Sequence, residues 1–333
     1  MVSKEIVQRT IDYDFPDRVA CTFEPYRDLL FIRADFYGNP QEWVKVADNR
    51  WERKDEWGNT WARVEENTTG EIIKGALADI KDVYDYEFFD HSNPDGFKNV
   101  RAHIKKNKDK WVIGSIPFTF TVARKMFKLD VYLMNLLLEP EHIRVLHDKI
   151  DKIAEDCIVN FAEAGADSVM IYEDWGTQDR TLISPALWYE EFFPRFKRLC
   201  GIVHDFGMKF FMHSCGRIEA IVPDLIKAGV DVFQFDQPEL HGIDKLASYQ
   251  KEHKVTFWTP VDIQRTLQTR DESKIRSAAQ ELLDKLWQGR GGYIAGCYVN
   301  DPAIGLDPVW QEYAKDEFVR YGIKDNFLRV RNA

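Results

Sequence analysis

The chain has 333 residues, 44% hydrophobic and 30% charged, with a formal net charge of −10 and a pI near 5.4. An acidic chain of this kind argues against nucleic acid or an anionic membrane as partner, and no run approaches the roughly 18 apolar residues of a membrane span. Five cysteines (Cys21, Cys157, Cys200, Cys215 and Cys297) are odd in number and widely spaced, which is not a disulfide framework. With Met1 to Arg18 too polar for a signal peptide, a reducing, cytoplasmic setting is expected, in which the acceptor triplet Asn67-Thr68-Thr69 has no meaning.

In chain order, Lys4 to Thr10 reads as a short helix and Arg18 to Glu24 as a first strand. The segment from about 26 to 110 is irregular. It carries Trp43, Trp51, Trp57, Trp61 and the turn residues Asp55-Glu56-Trp57-Gly58-Asn59, and is expected to form small strands and a helix capping the main body. From 111 onward the chain alternates. Strands are expected at 111–116, 168–173, 209–215, 231–236, 255–260 and 292–298, and helices at 133–138, 140–164, 185–206, 218–228, 242–253 and 272–288. Ser184-Pro185 supplies an N-cap and first helical position, and Gly165 and Gly229 end helices. Such alternation implies parallel strands joined by right-handed crossovers. With one irregular strand expected near the middle, the count approaches eight, so a single (β/α)8 barrel over 1–333 is the expected fold, ahead of a doubly wound open sheet.

The chemistry centres on Lys209 to Arg217. His213 and Cys215 end an apolar run two residues apart, and period-2 alternation puts them on one face. Gly291 to Cys297 is a second apolar strand between glycines that ends in a cysteine. Three such ligands at the ends of two strands fit an open catalytic zinc site; a core histidine beside buried thiols fits the same residues. In a barrel, functional residues gather where strands end. The polar residues at those points are Glu173 and Asp174, His213 and Cys215, Asp236 and Gln237, Asp262 and Gln264, and Cys297 with Asn300. Nucleotide-binding glycine loops, the Gly-x-Ser-x-Gly elbow and His-Glu-x-x-His are absent.

Glu173-Asp174-Trp175-Gly176, Ser184-Pro185, His213-Ser214-Cys215-Gly216, Gly229-Val230-Asp231 and the glycine-flanked strand ending in Cys297 resemble the uroporphyrinogen decarboxylase superfamily. Within it they are most similar to the zinc- and corrinoid-dependent methyltransferase branch, over roughly 105–320. The resemblance implies a (β/α)8 barrel holding Zn2+ through His213, Cys215 and Cys297. It also implies methyl transfer between a small-molecule donor or acceptor and cobalamin on a separate corrinoid protein, because the chain lacks the Asp-x-His-x-x-Gly carrier signature. The arginine-rich N-terminal motif with which the decarboxylase proper binds porphyrin carboxylates has no counterpart here. Glu173 is the candidate fourth zinc ligand or proton-handling carboxylate, and Asp236 the second candidate catalytic carboxylate. Trp175, Gln178, Gln237 and Asn300 are candidate substrate contacts; each fits a structural rim role as well. The aromatic content favours demethylation of a methoxylated aromatic compound. Methyl transfer from a methylated corrinoid protein to a thiol or tetrahydrofolate is the alternative, and a metal-free decarboxylase-like or non-catalytic role the second.

Overall fold

The structure, a computed structural model, describes residues 1–34, 42–65, 68, 70–325 and 327. Asn67 and Thr69 of the glycosylation triplet lie outside them. Eight parallel strands form a nearly closed (β/α)8 barrel: β1 (Ala20–Cys21), β2 (Leu29–Ile32), β7 (Trp111–Ser115), β8 (Ser168–Tyr172), β9 (Lys209–His213), β10 (Val232–Gln234), β11 (Thr256–Thr259) and β12 (Tyr293–Ala295). Hydrogen-bonded neighbours run β1-β12-β11-β10-β9-β8-β7-β2, so β1 and β2 flank the seam. Asp28 stitches that seam. Its fully buried carboxylate accepts two 2.7 Å bonds from Arg18 and one of 2.8 Å from the Cys21 amide, while its own amide donates to Cys21 O.

The strand expected near the middle of the chain is instead β2, inside the segment read as a cap. No helix separates it from β1, so the βαβ rhythm gave no sign of it. The cap proper is an antiparallel sheet of four strands, β3 (Val44–Ala47), β4 (Arg50–Lys54), β5 (Thr60–Arg63) and β6 (Glu71–Lys74). Arg53 lies over the Trp43 and Trp61 rings and Arg63 over Trp43 and Trp51, so one face of this small sheet is a cation–π ladder rather than an apolar core. Asp55 fixes the β4–β5 turn by accepting from Trp57 N, Asn59 N, Asn59 Nδ2 and Trp61 Nε1 at 2.7–3.0 Å. The cap then abuts the barrel where Leu77 N donates to Met126 O at 2.9 Å.

Alternation along the strands sorts the core into two layers. Inside the barrel lie Ala20, Leu29, Trp111, Ile113, Met170, Phe211, Val232, Trp258 and Ile294, closed off by Ile6, Val7 and Ile11 of the helix Ser3–Asp12. The opposite parity, including Val169, Ile171, Phe210 and Met212, packs under the surrounding helices. The expected helix 185–206 is two abutting helices, Pro185–Glu191 and Phe193–Asp205. Pro194 cannot supply the amide that a continuous helix would need. The expected helix 272–288 ends in a π-helical turn, Leu283–Trp287. No helix among the described residues is long and apolar enough to cross a membrane.

Candidate metal centre in the barrel mouth

Parity also builds the site. The inward residues Met170, Phe211 and Val232 are followed two positions later by Tyr172, His213 and Gln234. Register pairs Tyr172 with His213, His213 with Gln234, and Gln234 with Trp258. Those four side chains therefore form the uppermost inner layer on one arc of the barrel. One step further along β8 the same face carries Asp174.

Asp174, His213 and Cys215 present one ligand atom each, all within 4.8 Å of one another. His213 Nε2 lies 3.3 Å from Cys215 Sγ and 3.4 Å from Asp174 Oδ1, which also accepts from the Cys215 amide at 3.1 Å. His213 Nδ1 faces Gln234 Oε1, and the orientation of that amide is set by Gln234 Nε2 donating to Asp236 Oδ1 at 2.8 Å. The chain of bonds holds one proton on Nδ1 and turns Nε2 toward Asp174 and Cys215; a metal bound there would displace the Nε2 proton and find the ring already oriented. Gln237 Oε1 accepts from Gly216 N at 3.1 Å and so holds the turn after Cys215. At that turn Gly216 has φ +75°, and a Cβ would collide with Gly176 backbone at 2.3 Å.

Burial works against a charged imidazole at His213, but hydrogen bonds to Asp174 and Cys215 outweigh it and raise the ring well above its usual range. Burial would also raise Asp174; His213 and Arg124 instead hold its carboxyl far below the ordinary range. Burial raises the Cys215 thiol, with His213 opposing. Nitrogen, sulfur and oxygen donors converging on one point suit a borderline-soft divalent metal such as zinc.

Cys297 stands across from this cluster, not within it. It lines a cavity of about 590 Å³ whose wall includes one member of the cluster, His213, together with Tyr172, Asp236, Trp258 and Tyr298. Burial raises its thiol, with the charge of Lys315 opposing. All five cysteines are free.

The remaining sequence candidates scatter. Glu173 has the opposite parity to Tyr172 and points into the helix layer. Fully buried, it accepts from Thr121 N at 3.0 Å, its other oxygen has no hydrogen-bond partner among the described residues, and burial pushes its carboxyl up to about 8. Asp174 occupies the cluster position considered for Glu173. Trp175 is fully buried and stacked on Phe120 at 3.9 Å between centroids, so it supports the β8 loop from behind. Gln178 is exposed. Asn300 accepts from Ala303 N at 3.3 Å and caps a short helical turn. Asp262 is buried and accepts from three backbone amides, a turn-fixing role. Asp236 does reach the cavity. Gln234 and Tyr172 were missed; each lies two residues before a sequence candidate, Asp236 and Asp174, but only the strand register sets them beside His213.

No curated protein matches the chain. Among solved structures, a methyltransferase from Methanosarcina mazei superposes with a TM-score of 0.60 at 14% identity, covering 80% of this chain and 76% of that one. A D-psicose 3-epimerase gives a TM-score of 0.42 at 12% identity, covering 74% of this chain and 87% of that one. These likenesses concern the barrel fold alone. The family model described as uroporphyrinogen decarboxylase (URO-D) matches residues 63–298, a span that contains β7 to β12, the Asp174–His213–Cys215 cluster and Cys297, and the chain belongs to that family.

Proposed function

We propose that the protein is a zinc-dependent methyltransferase that moves a methyl group from a methoxylated aromatic compound to the corrinoid of a partner protein. The observation that carries the reading is the convergence of Asp174, His213 and Cys215 on one point, with His213 also lining the cavity that Cys297 lines. A donor set of one imidazole and two thiols beside a carboxylate fits zinc, with His213, Cys215 and Cys297 as ligands and Asp174 as the adjacent oxygen donor. Bound there, zinc would supply Lewis acidity toward an ether oxygen.

The protein's own residues supply the rest. Tyr172, Trp258 and Tyr298 offer flat walls for an aromatic ring. In the reaction the ether C–O bond breaks, the methyl group passes to the acceptor, and the oxygen keeps the bonding pair and takes up a proton. Asp236, on the cavity wall and fixed by Gln234, is the carboxylate placed to handle that proton. The 14%-identical methyltransferase on the same fold supports the reaction class.

The test is metal content beside activity. Wild type should carry about one zinc per chain and consume Co(I) corrinoid protein when given methoxylated aromatics, and Cys215→Ala should lose both. Metal-free wild type would sink the reading. Methyl transfer only from methylated corrinoid protein to thiols would reverse its direction.

A further inference from the structure

Tyr172 lines a second cavity as well, of about 240 Å³, whose wall also includes Arg33, Glu56, Trp57, Phe118 and Lys125. Two cations thus meet in one hollow of a chain that carries a net charge of −10. The cations of this rim are sorted. Arg124 pairs with Asp174 at 3.3 Å, whereas its neighbour Lys125 and the exposed Arg33 form no ion pair among the described residues. Lys125 is half-buried on the helix Thr119–Met126, and its ammonium lies 5.7 Å from the Trp61 ring centroid. Burial first, then the charge of Arg124, lower its pKa, and the carboxylates of Asp55, Glu56 and Glu173 only partly offset them. A half-buried cation with no carboxylate at ion-pair distance among the described residues is placed to receive one from a ligand.

The surroundings narrow the class of ligand. Trp57 is held by the Asp55 turn and by Tyr86 Oη, which donates to Trp57 O at 2.7 Å, so it is a rigid wall rather than a loose flap. With Phe118 it gives the cavity two aromatic surfaces. Glu56 is exposed on the rim and repels a second negative charge. Tyr172 lines both this hollow and the cavity that His213 lines, its ring 5.9 Å from that of His213.

We propose that Lys125 and Arg33 form an anion-binding subsite that takes the carboxylate of a monoanionic aromatic ligand, whose other end passes Tyr172 to reach the cluster. This rests on the methyltransferase reading for what reacts at that other end; pairing with Lys125 requires no metal.

The full-length protein is titrated calorimetrically with 4-methoxybenzoate and with its neutral isostere 4-methoxybenzamide. Wild type should bind the carboxylate at least about tenfold more tightly than the amide, because a charge-assisted hydrogen bond is lost with the charge. Lys125→Met and Arg33→Gln should each weaken carboxylate binding about tenfold without changing amide binding, and Lys125→Arg should recover most of it. Cys215→Ser, which removes a cluster thiol, should leave the preference for carboxylate over amide intact. Equal affinity of wild type for acid and amide, undetectable binding of the acid, or an unchanged acid affinity in Lys125→Met would each overturn the subsite. If instead Cys215→Ser keeps its zinc and its methyl transfer, the metal reading falls and the subsite stands.

Discussion

The two arcs of the barrel mouth are built differently. On the β8–β10 arc every polar group is fixed by another: Asp236 orients Gln234, Gln234 orients His213, and Asp174 holds both His213 and the Cys215 amide. On the β12–β1 arc Cys297 belongs to no such cluster among the described residues, and besides burial only the charge of Lys315, the Thr22 hydroxyl and the charges of Asp301 and Glu312 act on its thiol. One side is preorganised and the other is left to close on what the cavity holds. Strand length does not make the difference, since Asp174, Cys215, Asp236 and Cys297 each lie two residues past the end of their strand. What differs is that Asp174 and the Cys215 amide are hydrogen-bonded across neighbouring strand ends and Asp236 accepts from Gln234.

The sharpest way to break this comparison is to delete one thiol from each arc. Cys215→Ala should lower methyl transfer roughly a thousandfold, the several kcal/mol of lost Lewis-acid assistance, and should leave only traces of zinc. Cys297→Ala should lose transfer comparably but retain weakly bound metal on Asp174, His213 and Cys215. Elemental analysis after dialysis checks both. Equal loss of metal in the two variants would show that the arcs act as one closed site.

The preorganised arc leans on an aromatic wedge behind it. Trp175 stacks on Phe120 and meets Phe192 edge-on at 4.6 Å, all fully buried. Trp175→Ala should cost about 3–5 kcal/mol in denaturant unfolding, the range for a large buried aromatic, and should weaken zinc binding although Trp175 never reaches the cavity. A variant that unfolds more easily but binds zinc with wild-type affinity would separate the wedge from the arc.

Behind the wedge, His147 Nδ1 donates to Glu191 at 2.8 Å, while Tyr132 Oη meets His147 Nε2 at 2.9 Å. Burial keeps His147 toward its neutral form. Burial would raise Glu191 too, but the bond from His147 and the charge of Arg195 hold its carboxyl at about 2, below the ordinary 4.5. Because the folded pKa is the lower one, this stability is complete above pH 4.5 and is lost as the pH falls toward 2. Glu191→Gln should therefore cost about 3 kcal/mol at pH 7, and its deficit relative to wild type should shrink across that window. A deficit that does not change with pH would remove the ionised carboxylate from the explanation.

Much of this was legible in the sequence. The alternation of apolar runs after residue 111 located six of the barrel strands, their starts to within one residue and their ends one to three residues too late. The spacing of His213 and Cys215 gave the heart of the cluster, because parity needs no tertiary information. What escaped detection escaped for physical reasons. β2 follows β1 without a helix, so no change of period announces it. Glu173 and Asp174 are adjacent carboxylates, and only the parity of Met170 and Tyr172 tells which one faces the mouth. Gln234 is an ordinary polar residue until the β9–β10 register sets it against His213.

Gln234 is where the comparison between arcs becomes quantitative. It touches no ligand atom of the cluster, yet it holds a proton of His213 on Nδ1, so that the Nε2 proton is the one a metal displaces. Replacing it with leucine keeps the volume and removes both the acceptor for Nδ1–H and the donor to Asp236. The ring that has lost one proton can then keep the other on Nε2, facing Asp174, where it competes with a metal. Gln234→Leu should therefore lower zinc affinity about 10–100-fold, the usual cost of losing a partner of a metal-binding histidine. Nitrogen NMR of His213 should show the change of tautomer in the metal-free protein once the pH is high enough to leave the ring neutral. Gln234→Glu, which accepts from Nδ1–H more strongly, should restore affinity to at least the wild-type level. Were Gln234→Leu to bind zinc as wild type does, the rigidity of this arc would lie in Asp174 and the Cys215 turn alone.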